Sequence, residues 1–302
     1  MSERMSRSFL EVDDLTPEEL TAVLDASERH EPPQVLAGRG VALIFEKPSN
    51  RTRSSSEMAV VQLGGHPVAL RGDEVGFDVR ETAEDVGRTL ACYHAAIGAR
   101  VFEHAKLTRM AAVVDVPVIN LLSDDAHPMQ ALADLLTLRQ HLGDLAGRSL
   151  AWVGDFSNVA RSLAIGAAMS GMEVRVGVPH GYGPTAVDVD RLAALGAPPL
   201  VSARAEEAVA GADVVVTDVW TSMGQEGQAA ARRRAFEGFT VDGDLFDRAA
   251  TDAVFLHCLP VHRGEEASAE VVDGPRSLIW PEVANRMHAA RGLLLWLFED
   301  GA

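Results

Sequence analysis

The sequence predicts an α/β protein built as two doubly wound, parallel-sheet domains, with the last helix packing back on the first. Three observations carry this expectation. Short apolar runs of strand length alternate with helix-period segments along the chain, the pattern of parallel βαβ units. The alternation breaks at Gly143 and Gly147 and then restarts. The 302 residues are enough for two domains with sizeable cores. The expected domains are residues 1–145, joined by the final helix at 283–298, and residues 146–282.

Taken in order, Thr16 before Pro17 with Glu19 three residues on reads as a capping box opening a helix that runs to about His30. Val41–Phe45 is a buried strand, and Ser54–Leu63 reads as the start of a helix that Gly64-Gly65 stops. Val68–Leu70 is a short strand, and 71–80 reads as a mobile polar loop. Glu81–His94 has helical spacing, Ala95–Val101 is a strand ending near Arg100, Met110–Val114 is helical, and Val116–Leu122 is a fourth strand. A long apolar-striped helix follows the tract Ser123–Gln130. In the second half the expected strands are Leu150–Val153, Val174–Val178, Val214–Asp218 and Ala253–Leu256. The expected helices are Val159–Met169, Thr185–Leu195 and Val283–Leu297.

Composition removes several classes. A net charge of −17 argues against a general nucleic-acid or membrane binder. No apolar run reaches membrane-spanning length, and the N-terminus lacks an apolar signal core. Two cysteines, Cys92 and Cys258, make no disulfide framework, which suits a reducing, cytoplasmic setting. In so acidic a chain an anion site must concentrate its cations locally. Phe45–Arg53 does so on a strand-to-helix turn, where Lys47, Arg51 and Arg53 accompany Ser49, Asn50 and Thr52 at a helix N-terminus. That combination suits a dianionic phosphate; a capped helix with a solvated basic face is the plainer alternative. The run Arg232–Arg234 reads as a solvated loop face.

Other strand ends carry chemistry-bearing residues. Gly154–Asn158 has one glycine where a dinucleotide turn wants three, so a nicotinamide cofactor is not expected. His127-Pro128-x-Gln130 opens a helix whose dipole favours a neutral imidazole. Asp218 and Ser222–Gly224 offer a carboxylate, a hydroxyl and a glycine turn for an ammonium and a carboxylate. His257, Cys258 and His262 invite a metal reading, but their spacing is not that of a zinc site, and no metal or other cofactor is expected. A nucleophilic Cys258 is conceivable, with no orienting group legible nearby.

Together, Ser49–Arg53, Arg100, His127–Gln130, Asp218 to Gly224 and His257–Pro260 resemble the ornithine carbamoyltransferases, in order and spacing over roughly residues 8 to 298. The resemblance implies that the first domain binds carbamoyl phosphate. Ser49, Asn50, Arg51 and Thr52 would hold the phosphate, with bidentate arginine geometry adding strength. Arg100, His127 and Thr52 would polarise the carbonyl, and Gln130 would hold the carbamoyl amide. Cys258, Leu259 and Arg286 would close over it. The resemblance further places L-ornithine on Asn158, Asp218, Ser222 and Met223, with its δ-amine near Cys258, and implies a homotrimer with shared sites.

Departures from the pattern are Asn50 for a usual Thr, Ser157 for a usual Asn, and the 74–78 loop. There Gly76 stands where a Gln or His would reach a neighbouring subunit's carbamoyl phosphate, and Asp78 adds negative charge near an anion. Three readings remain: an ornithine enzyme, a carbamoyltransferase for another amine, and a non-catalytic anion-binding homologue.

Overall fold

A computed structural model describes residues 7–221 and 226–299. The chain divides into two compact units, residues 1–136 with 284–302, and residues 137–283. Both division points lie inside helices, the first ahead of the glycine pair at 143 and 147 and the second at residues 283 and 284.

The first unit runs α1 (Pro17–Ser27), β1 (Gly40–Phe45), α2 (Asn50–Gln62), β2 (His66–Arg71), α3 (Gly72–Val75), α4 (Ala83–Ala91), β3 (Ala96–Arg100), α5 (His104–Ala111), β4 (Val118–Leu122) and α6 (Pro128–Leu142). Its four strands, all parallel, lie in the order β2-β1-β3-β4. The capping box at α1 forms as expected: Glu19 N donates to Thr16 Oγ1 at 3.3 Å, and Thr16 N donates to Glu19 Oε2 at 2.7 Å. Val41–Ile44 are buried because β1 is an inner strand flanked on both edges. Ala42, Ile44, Ile97, Ala99, Leu107, Met110 and Val118 share one core.

The second unit continues with β5 (Ser149–Val153), α7 (Asn158–Met169), β6 (Glu173–Gly177), α8 (Ala186–Ala194), β7 (Leu200–Ser202), α9 (Ala205–Val209), β8 (Val214–Thr217), α10 (Ala229–Ala235), α11 (Gly243–Phe246), β9 (Val254–Leu256) and α12 (Ala269–Val272). Helix α13 (Ile279–Glu299) begins in it and returns to the first unit. The sheet order is β7-β6-β5-β8-β9, again parallel. An aromatic cluster fills one side of the sheet, where Phe236 is fully buried and stacks on Trp220 at 5.5 Å between ring centroids.

Several expectations need correction. The helix expected at 110–114 is α5, which starts at His104. Its polar early turn hid it, because Lys106 is buried and paired with Glu46 at 2.8 Å. The loop expected at 71–80 contains the helical turn α3, closed by Gly76 at φ 68°. Strand β7 has no clear sequence signal, because it is a three-residue sheet edge whose Leu200 and Val201 are exposed. Arg232–Arg234 lie on α10, not in a loop, and Arg232 is buried. No helix among the described residues is long and apolar enough to cross a membrane.

Candidate functional site

Each sheet reverses its winding direction once. In the first unit the chain leaves β1 for one edge and β3 for the other, and in the second the same happens at β5 and β8. At such a switch point the two outgoing connections part and leave a crevice at the carboxyl ends of the strands. The sequence motifs sit at these two points: Ser49–Arg53 follows β1 and Arg100 ends β3, while Gly154–Asn158 follows β5 and Asp218 follows β8.

In the first unit Ser49 is the N-cap of α2 and accepts from Thr52 N at 3.3 Å, and the first turn of α2 holds no acidic side chain. The helix therefore presents its positive end without a competing carboxylate. Thr52 is buried, and its Oγ1 accepts from Arg100 Nη1 at 3.4 Å and from Arg286 Nη2 at 3.1 Å. Arg286 also donates through Nη1 to Gln130 Oε1. The loop before α6 is fixed by its own polar groups: Ser123 N donates to Ala126 O at 2.9 Å and Asn120 Nδ2 to Ser123 Oγ at 3.1 Å. This delivers His127 to the helix mouth, buried at 4% exposure.

His127 is held well below its ordinary value of 6.5, first by burial and then by the positive charges of Arg286, Arg100 and Arg51. Its imidazole is neutral at pH 7. Three guanidiniums and a neutral imidazole thus act on one spot, a pattern suited to a dianion with an adjoining carbonyl.

The sequence-expected cations do not all converge. Arg53 pairs with Glu57 at 2.8 Å on the exposed face of α2, and Lys47 Nζ sits 4.2 Å from the Phe102 ring centroid. Asn50 is exposed, and its Oδ1 accepts from Ser54 Oγ at 3.4 Å, so Ser49 alone supplies the side-chain cap. Asp78 pairs with Arg109 and accepts from Ala83 N at 3.4 Å. Burial opposes its charge, yet the Arg109 bond leaves its carboxyl below the usual value. The negative charge at Asp78 is thus shared with Arg109.

In the second unit Ser157 caps α7 and accepts from Ala160 N, while Asn158 Oδ1 accepts from Val159 N at 3.0 Å. Asp218 is buried at the end of β8. It accepts from Val219 N at 2.8 Å and from Cys258 Sγ at 3.2 Å. Burial raises its pKa, against the pull of His257 and these two donors. A buried carboxylate short of a full positive partner suits an incoming ammonium. Ser222 and Met223 lie outside the described residues.

His257 is fully buried and its bonds define its tautomer. Leu259 N donates to Nδ1 at 2.9 Å, so Nε2 carries the proton and faces Glu266 Oε1 at 3.3 Å. His257 N donates to Glu282 Oε2 at 3.1 Å. Leu259 holds φ 60°, a left-handed conformation unfavourable for a branched side chain, and the His257 contact supports it. Asp218, His257 and Cys258 could be grouped as metal ligands, but both ring nitrogens of His257 are already engaged.

Sequence reasoning missed Asp134, Asp155, Arg232, Glu266 and Glu282. Arg232 donates to Asp155 Oδ2 and to Trp220 O, with its guanidinium 4.8 Å from the Tyr182 ring centroid. It ties the segment after Asp218 to the turn before Asn158. Asp155 lies in the turn after β5 but its partner Arg232 is 77 residues away, and Glu282 reaches back 25 residues to His257, so neither pairing has a local signature.

Comparison with known proteins gives the family. Residues 7–140 match the family model of the aspartate/ornithine carbamoyltransferase carbamoyl-P binding domain, and residues 146–297 match that of the Asp/Orn binding domain. The ornithine carbamoyltransferase of Acidothermus cellulolyticus is 50% identical over 308 residues, covering 98% of this chain and 97% of that protein. The solved ornithine carbamoyltransferase of Pyrococcus furiosus superposes with a TM-score of 0.92 at 40% identity, covering 96% of each chain. That of Thermus thermophilus gives 0.89 at 42% identity, covering 98% of this chain and 100% of the other.

Proposed function

The chain belongs to the aspartate/ornithine carbamoyltransferase family, and from that premise we propose how its residues move a carbamoyl group from carbamoyl phosphate to the δ-amine of L-ornithine, giving L-citrulline and phosphate. It is an enzyme of ornithine carbamoyl transfer. Residues 1–145 with 283–298 bind carbamoyl phosphate, and residues 146–282 bind ornithine.

The observation that carries the mechanism is the set of three arginines around neutral His127. Ser49, Asn50, Arg51 and Thr52 hold the phosphate at the mouth of α2. Arg100, His127 and Thr52 donate to the carbonyl oxygen. A neutral imidazole can donate one hydrogen bond without a competing charge of its own, and the arginines supply the field that stabilises the tetrahedral oxyanion. Gln130 and Arg286 orient the carbamoyl group, with the carbonyls of Cys258 and Leu259 closing over it. Gly76, with no side chain, contributes backbone alone.

On the amine side, Asp218 and Ser222 take the α-ammonium, and Asn158 and the Met223 backbone take the α-carboxylate. The δ-amine must be neutral to attack, and a free alkyl amine has a pKa of about 10.4 by analogy with lysine. Its proton passes to the departing phosphate, so neither protein nucleophile nor metal enters. Cys258 then acts as a neighbour of the amine, donating to Asp218 as it does in the structure. The working form is a cytoplasmic homotrimer with shared sites, serving arginine metabolism; its described cysteines form no disulfide.

The test is carbamoyl-phosphate-dependent phosphate release across a panel of amines: ornithine, N-acetylornithine, lysine, putrescine and aspartate. Highest kcat/KM with ornithine, with one citrulline formed per phosphate, supports the proposal. A better amine, or no release with any, overturns it.

A further inference from the structure

Each end of the Gln130 amide meets a buried charged side chain. Its Nε2 donates to Asp134 Oδ1 at 2.7 Å, one turn along α6, and its Oε1 accepts from Arg286 Nη1. Gln130, Asp134 and Arg286 are 1%, 2% and 5% exposed. Asp134 Oδ1 accepts from the amide nitrogen and a guanidinium only donates, so the two neighbours favour the same amide orientation. The carbonyl oxygen has two lone pairs. Arg286 donates to this oxygen, and the amide orientation sets where its lone pairs point.

Carbamoyl phosphate and acetyl phosphate share their phosphate and carbonyl and have nearly the same shape. They differ only in carrying NH2 or CH3. An amide presenting its oxygen accepts a hydrogen bond from the NH2 and gains nothing from the CH3, whereas a turned amide would present NH2 to NH2. We propose that Asp134 is a positioning residue for donor specificity: by holding Gln130 Nε2 it keeps Oε1 turned toward the substrate nitrogen, and so makes the site select a carbamoyl over an acyl phosphate. This rests on the reading above of Gln130 as the residue that holds the carbamoyl amide.

Asp134→Asn is near-isosteric and can turn either end of its own amide to Gln130, which removes the Asp134 half of the constraint and leaves Arg286 to hold the orientation alone. The measurements are the KM for carbamoyl phosphate, at saturating ornithine, and the Ki of acetyl phosphate as a competitor. Loss of one directed hydrogen bond predicts a KM raised about tenfold, with the Ki changed by less than about twofold. A merely structural role for Asp134 would move both constants together. In a Gln130→Ala background the same substitution is expected to add nothing further, because its effect passes through that side chain. KM and Ki shifting in parallel, neither shifting, or additive effects in the Gln130→Ala background would each refute the proposal. Wild-type protein inactive with carbamoyl phosphate and ornithine would refute the underlying functional reading and this proposal with it; an active wild type with an unchanged ratio in the variant refutes this proposal alone.

Discussion

Arg286 Nη2 donates to Thr52 Oγ1 at 3.1 Å, and the same oxygen accepts from Arg100 Nη1 at 3.4 Å. One buried hydroxyl thus sets two guanidiniums that arrive from β3 and α13, the second from 234 residues away. The arginines repel each other, and a shared acceptor holds them in register before any anion binds. Such preorganisation lowers the cost of assembling the site around its substrate.

Thr52→Val keeps the shape and removes that acceptor. The KM for carbamoyl phosphate is expected to rise about tenfold, and stability to fall by about 1–2 kcal/mol as buried N–H groups lose a partner. Initial rates and thermal unfolding of the variant check both. A KM equal to that of the wild type would show that the hydroxyl does not set the arginines.

His127 makes stability depend on pH with a definite sign. Its folded pKa lies well below 6.5, because burial and three arginines oppose its protonation. Below pH 6.5 the unfolded chain takes up a proton that the folded chain refuses. The contribution is therefore complete above pH 6.5 and is lost as the pH falls toward the folded pKa, with a limiting slope of about 1.4 kcal/mol per pH unit. Denaturant titrations of wild type and His127→Asn between pH 7 and 5 are expected to show a shallower fall in the variant. Parallel curves would mean that His127 titrates normally in the folded protein.

Asp78 is paired with Arg109. Asp78→Asn retains a residue type tolerant of its left-handed backbone at φ 56°. The KM for carbamoyl phosphate is expected to stay within about twofold of the wild type, since a paired, part-exposed charge has little left to contribute. A large drop in KM would show that Asp78 does repel the substrate.

Arg232 binds the turn after β5 and the segment after β8 together through Asp155 and Trp220. Arg232→Met leaves Asp155 buried without its cation, a change that costs about 3 kcal/mol where the pair is well enclosed. The KM for ornithine is expected to rise at least about tenfold while that for carbamoyl phosphate stays near its wild-type value. Measuring each KM with the other substrate saturating separates these outcomes; equal increases in both would point to general loosening.

The architecture was legible because it rests on local signals. Val41–Phe45, Leu150–Val153 and Val214–Thr217 advertise inner parallel strands through unbroken apolar runs, and Thr16 to Glu19 or Ser49 announce their helices through capping chemistry that spans three residues. Ser49–Arg53, Arg100, His127–Gln130, Asp218 and Cys258 stood out for the same reason, since each lies at or just after a strand's end or at a helix mouth.

Pairings between distant residues had no such signature. Lys47 and Arg53 have the same composition signal as Arg51, yet Phe102 and Glu57 claim them. Arg232 reads as one of three surface arginines, and only the folded second unit shows it enclosed beside Asp155. The amino-acid sequence by itself determined which strands and helices form and which polar residues lie at their ends, because backbone propensity and burial period act over a few residues. Only the tertiary structure decided which charges meet, because desolvation and hydrogen-bond geometry depend on neighbours far apart along the chain. His127 among three arginines is the clearest case: its neutrality is a property of what surrounds it, not of the segment that carries it.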